Sequence, residues 1–142
     1  MLDSMAKTGL EYGIKFAKGG QIGSTFNCHR LMELALDNDM QDVVIEEIFH
    51  LYFELTATIA CNEVLAIAAH KTGLFNSKEE ARAWLETDEL AARTRRRISL
   101  AGKMKVAAVP YFVIDNTYAL SGAQPAEVFE QVFAKLGLLP PS

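Results

Sequence analysis

The chain has 142 residues, half of them hydrophobic, which suits one compact globular domain with a real core. Its net charge of −4, with acidic and basic residues interspersed, lacks the basic excess of a nucleic-acid binder. No apolar run approaches the roughly 20 residues of a membrane span, and the segment MLDSMAKTGLEYG carries no apolar stretch of the signal-peptide kind, so a cytoplasmic protein without nucleic-acid or membrane partners is expected.

Residues 2 to 10 read as the end of a helix, and Glu11 to Ala17 alternate like a short strand before Lys18-Gly19-Gly20 turns the chain. Ser24 or Thr25 is a plausible N-cap for a helix through Asp37, ended by Asn38-Asp39. From Gln41 to about Thr58, Val44, Ile48, Leu51 and Leu55 stand at helical spacing and predict one amphipathic helix. A further helix is expected over Asn62 to Lys71, stopped by Gly73. Ser77-Lys78-Glu79-Glu80 forms a capping box that opens a short helix to about Glu86, and Asp88 is expected to cap the next, which runs to about Met104. The dense basic patch Arg93, Arg95, Arg96 and Arg97 reads as a solvated helix face.

After Lys105 the pattern changes. Val109 to Ile114 and Tyr118 to Leu120, separated by Asp115-Asn116-Thr117, read as a β-hairpin. Pro125 opens a final helix with Val128, Val132, Phe133 and Leu136 on its buried face, and Pro140-Pro141-Ser142 is a frayed tail.

Cys28 and Cys61 stand far apart, outside any CxxC or metal-ligand spacing, and His29, His50 and His70 make no metal pattern, so no metal and no structural disulfide are expected. Cys28 falls in the first turn of its helix, where the dipole lowers a thiol pKa, and is a candidate reactive thiol; a small buried packing residue is the alternative. Tyr12, Phe16, Phe49, Tyr52, Phe53 and Trp84 are candidates to line a hydrophobic cavity, or are ordinary core.

The stretch VAAVPYFVIDNTYALSGAQPAEVFEQVF, residues 106 to 133, resembles the end of the DsbA family, in particular its FrnE-like and 2-hydroxychromene-2-carboxylate isomerase-like branches. FNCHRLMELA, residues 26 to 35, resembles that family's Asn-x-x-His-Arg-Leu helix start, and IFHLYFELTATIACNEVLAIAAHKTGL resembles its inserted helical subdomain. The resemblance implies an α/β class, α+β in content: a single thioredoxin-like domain over 1–142, with residues 1–23 and 105–138 forming the thioredoxin-like part and 24–104 the helical subdomain. The family's first strand and CxxC helix have no counterpart here. The resemblance implies that this strand lies mid-sheet, so the fold is expected to be incomplete and closed by pairing of the remaining edges, by another polypeptide or an omitted segment or, preferred here, by a second copy in a homodimer.

On the same resemblance Pro110 is the cis-proline, with Val109 pairing with a cysteinyl peptide or glutathione, and Ser121 to Gln124 forms the turn that holds the γ-glutamyl end in glutathione-using relatives. Glutathione is thus the one candidate small cofactor; otherwise none is expected. Asn27, His29 and Arg30 match the motif at the mouth of the helical subdomain, where they either orient a substrate or tie subdomains together. The expected function is a non-redox isomerisation or cyclisation of a small organic molecule, with His29 as acid or base, Arg30 or Asn27 stabilising an enolate-like oxygen and Cys28 as a third candidate. The alternatives are a non-catalytic binding protein and a partial chain of a thiol–disulfide oxidoreductase.

Overall fold

A computed structural model describes residues 2–104, 106 and 108–139; the expected tail at 140–142 lies outside the described residues. Seven α-helices, one π-turn and two strands are assigned among them: α1 (Leu2–Glu11), α2 (Phe26–Asp37), α3 (Gln41–Phe49), the π-turn (His50–Glu54), α4 (Asn62–Lys71), α5 (Lys78–Leu85), α6 (Ala91–Lys103), β1 (Tyr111–Ile114), β2 (Tyr118–Ser121) and α7 (Ala126–Lys135). The chain divides into two compact units, residues 1–95 and 96–142, with the boundary inside α6.

The core of the first unit lies among α2, α3, α4 and α5. Leu31, Ala35, Val44, Ile48, Leu65, Ala66, Ala68, Ala69, Ala81 and Leu85 are buried there. Removing a Leu, Ile or Val side chain from water contributes about 1.5–3 kcal/mol. The alanines serve a different end. With only a methyl group at positions 66, 68, 69 and 81, α4 and α5 pack against each other more extensively than any other pair of helices among the described residues.

Local chemistry sets the helix ends. The Ser24 hydroxyl accepts the Phe26 N–H at 3.4 Å while Thr25 makes no capping bond. Ser77 Oγ accepts the Glu80 N–H at 3.1 Å, and the Glu80 carboxylate accepts the Asn76 N–H at 3.2 Å, one residue upstream of the strict box. Gly73 follows α4 at φ +83°, the left-handed position expected of it. Asp88 departs from expectation. Its backbone carbonyl, not its carboxylate, accepts the Ala91 N–H at 3.1 Å, and α6 starts only after Leu90 at φ +60°.

The strand expected over Glu11 to Ala17 does not form. Glu11 ends α1, and Gly13 at φ +79° closes it: the Ile14 N–H reaches the Gly9 carbonyl at 2.8 Å and the Gly13 N–H the Leu10 carbonyl at 3.2 Å. This is a Schellman cap, and it consumes the first half of the expected strand. Ile14 to Ala17 continue without regular structure, tied to the π-turn by Ala17 N–H to Phe53 carbonyl at 2.8 Å and Lys15 N–H to the Glu54 carboxylate at 3.2 Å. A strand needs a ladder, and none is offered here.

The helix expected to run to Thr58 stops at Glu54, its last turn a π-turn with a Leu55 N–H to His50 carbonyl bond at 3.3 Å. The wider turn carries an extra residue, so the stripe Val44, Ile48, Leu51, Leu55 loses its phase. Val44 and Ile48 are buried, Leu51 is half-buried, and Leu55 is 56% exposed.

The basic patch on α6 is likewise not all solvated. Arg93 donates to Glu33 Oε2 at 2.7 Å and, through both terminal nitrogens, to the Asp37 carboxylate at 2.9 Å each. These bonds, Asp37 first and then Glu33, raise its pKa further. Arg95 lies 4.9 Å from the Phe26 ring centroid.

In the second unit β1 and β2 pair antiparallel, with Tyr111 opposite Ser121 and Ile114 opposite Tyr118. Asp115 and Asn116 both sit at φ +51°, and the Ile114 carbonyl accepts the Thr117 N–H at 3.1 Å, so a tight three-residue loop, 115–117, joins the strands. Pro125 is the N-cap of α7 rather than its first residue. Val132 is buried, with Val128, Phe133 and Leu136 half-buried, and Phe129 of the same helix meets Phe112 edge-on at 4.9 Å.

Candidate functional site

The first unit contains an apolar pocket of about 200 Å³. Thr25, Cys28, His29 and Met32 form one side, Ile45, Ile48 and Phe49 of α3 another, and Tyr52, Phe53 and Ile59 complete it. The spacing explains the wall: positions 28, 29 and 32 share one face of α2, and 45, 48, 49 and 52 share one face of the α3 segment. The π-turn then brings Phe53 to the same wall.

Cys28 is 6% exposed, and burial pushes its thiol up to about 11. The effect runs opposite to the lowering expected at a helix N-terminus, because loss of water outweighs the dipole. The group is therefore a neutral thiol at physiological pH. Both cysteines are free. His29, exposed toward solvent, is the pocket's imidazole.

Asn27 and Arg30 do not line this pocket. Arg30 is 2% exposed; its Nε donates to the Glu89 carbonyl at 2.9 Å, and Nη1 to the Leu85 carbonyl at 3.1 Å and to Asn27 Oδ1 at 3.0 Å. The Asn27 amide in turn donates to Asn62 Oδ1 at 2.8 Å. The motif thus ties α2 to the start of α4 and to the segment between α5 and α6. Desolvation lowers the Arg30 pKa, opposed by the charges of Asp88 and Glu89. Of the aromatic residues named from sequence, Phe49, Tyr52 and Phe53 line the pocket; Trp84 stacks on Arg30 instead, and Tyr12 is 79% exposed. Met32, Ile45 and Ile59 were not singled out from sequence. Their helical spacing marks a shared face, but not that the face borders open volume.

A second cavity in the same unit, about 460 Å³, is bounded by Met5, Ala6, Phe16, Ala17, Lys18, Gly19, Tyr52 and Phe53. Tyr52 and Phe53 belong to both walls.

In the second unit the Val109–Pro110 peptide bond is cis, Val109 is 85% exposed, and the Pro110 carbonyl accepts the Gly122 N–H at 2.8 Å. Gln124 Nε2 donates to the Ser121 carbonyl at 2.8 Å, so the turn before α7 closes on itself. Among the described residues no helix is long and apolar enough to cross a membrane, and no group of three or more His, Cys, Asp or Glu is placed to hold a metal ion.

A helical unit followed by a unit with a hairpin and a closing helix agrees with a DsbA-type thioredoxin fold that has an inserted helical subdomain. The model of the DSBA-like thioredoxin domain matches residues 1–134, and the chain belongs to that family. A solved structure, a probable DsbA oxidoreductase from Streptomyces coelicolor, is 30% identical and superposes with a TM-score of 0.83 over 99% of this chain. The chain spans 61% of that protein's length. No curated protein matches it.

Proposed function

We propose that the chain binds a small, single-ring organic molecule in the pocket beside His29 and carries out a non-redox isomerisation or cyclisation by proton transfer. The observation that supports this reading is the pocket wall. Its surface is almost wholly apolar, His29 is the imidazole among its residues, and the Cys28 thiol stays protonated, which leaves acid–base chemistry and no thiolate. A cavity of about 150 Å³ holds benzene, so 200 Å³ suits one ring and not a fused pair. The resemblance of residues 106 to 133 to the 2-hydroxychromene-2-carboxylate isomerase-like branch, read from sequence alone, points to the same reaction class. His29 takes a proton from carbon next to a carbonyl and returns it two carbons further on, which shifts a double bond with no net redox change.

The test is the conversion of cyclohex-3-enone to cyclohex-2-enone, followed by the ultraviolet absorbance of the conjugated product. Saturable turnover is expected, reduced about 10²- to 10⁴-fold in His29→Ala and retained when Cys28 and Cys61 are both alanine. Absence of saturable turnover, or full activity in His29→Ala, defeats the reading. The working form proposed is a cytoplasmic homodimer, supported by strands that pair only with each other among the described residues; a monomer in sedimentation at micromolar concentration overturns it.

A second reading, a substrate-holding portion of a thiol–disulfide oxidoreductase, is favoured by Val109, which is 85% exposed just ahead of the hairpin. On that reading glutathione shifts the amide resonances of Val109 and Ser121; unmoved resonances count against it.

A further inference from the structure

We propose that the 460 Å³ cavity between α1 and the π-turn binds an aliphatic carboxylate of medium chain length, tail inward and head group at Lys18. This site is separate from the pocket beside His29. Its walls are Met5, Phe16, Tyr52 and Phe53, with Ala6 leaving room between them. The rings do not form a flat slot: Phe16 meets Phe53 edge-on at 5.7 Å and 87°, and Tyr52 meets Phe53 at 4.9 Å and 79°. Ring edges present an uneven surface, to which a flexible alkyl chain conforms better than a planar ring does.

The polar end is equally defined. Among the described residues of the wall Lys18 is the one cation, and beside it Gly19, at φ +107°, has no atom within 4 Å of where a side chain would begin. The wall is therefore open beside Lys18. An ammonium has three N–H donors, so Lys18 receives a carboxylate in addition to the contacts it already makes. A 150 Å³ cavity holds six carbons as benzene, so one about three times larger has ample room for a chain of about eight to ten carbons with its head group. The apolar side chains of Met5, Phe16 and Phe53 favour an alkyl tail over a short polar acid, and the charge favours an acid over the alcohol of the same length.

The experiment titrates the full chain with octanoate and with octan-1-ol, by calorimetry and by the methyl resonance of Met5. One octanoate per chain is expected, shifting the Met5 methyl. Lys18→Met weakens octanoate about three- to fivefold, the range for an exposed ion pair, and leaves octan-1-ol unchanged. Ala6→Phe fills the cavity and removes both. Because Lys18 is exposed, Lys18→Met tests the proposal even where Ala6→Phe fails to fold. No saturable octanoate binding, a stoichiometry well above one, or wild-type octanoate affinity in Lys18→Met overturns it.

Discussion

The guanidinium of Arg30 lies 4.8 Å from the centroid of the Trp84 ring, buried, with three of its hydrogen bonds going to neutral oxygens. The cation is stabilised by the ring face and by carbonyl dipoles rather than by a direct carboxylate. Lysine cannot reproduce this, since it lacks the fork that reaches Leu85, Glu89 and Asn27 together. Arg30→Lys is expected to cost about 3 kcal/mol, read from urea unfolding, without closing the pocket beside His29. A loss below 0.5 kcal/mol contradicts the clamp.

Cys28 gives a pH dependence with a definite sign. Its folded-state pKa is raised from 9.0 to about 11, so the folded chain holds the proton more tightly than the unfolded one. The stability this contributes is complete below pH 9 and is lost as pH climbs toward 11, with a limiting slope of about 1.4 kcal/mol per pH unit. Unfolding free energies of wild type and Cys28→Ala, measured from pH 8 to pH 11, should converge. At pH 7.5 a disulfide reagent should label Cys61 well before Cys28; equal rates refute the burial argument.

Gly9 is a helical glycine at which alanine is harmful. A Cβ there meets the Phe16 ring at 2.7 Å and the Ile14 carbonyl oxygen at 2.9 Å. In an open helix Gly→Ala stabilises by about 1 kcal/mol. Here Gly9→Ala is expected to destabilise by about 1–3 kcal/mol, as overpacking does, and calorimetric melting checks the sign.

The π-turn separates two residues that look equivalent in sequence. Ile48→Ala should cost about 2–5 kcal/mol, as a buried truncation does, whereas Leu55→Ser should stay within about 0.5 kcal/mol. Comparable losses at both positions would mean that the helix continues through Leu55.

Much of this was legible in the sequence. The helices from Phe26 onward, the Ser77 cap, the hairpin and the family were readable because caps, turn residues and apolar spacing are local signals. The strand at Glu11 to Ala17 was not, because a strand depends on a partner elsewhere in the chain, and Gly13 reads equally well as strand interior or helix cap. The candidate site was legible in part. His29 and Cys28 do line a pocket, but periodicity could not tell that Arg30 turns away toward Trp84, or that desolvation overrides the dipole at Cys28. The phase slip after Phe49 was invisible for a related reason. An apolar stripe carries no mark of where the backbone adds a residue.

That added residue makes the region between Phe49 and Leu55 sensitive to length rather than to composition. Removing one codon there would restore a regular helix and swing Tyr52 and Phe53 by about 100°, emptying the partition between the two cavities without altering either aromatic side chain. Relatives that differ by a single-residue gap at this point would therefore differ in the cavities they enclose, even where every residue lining them is the same.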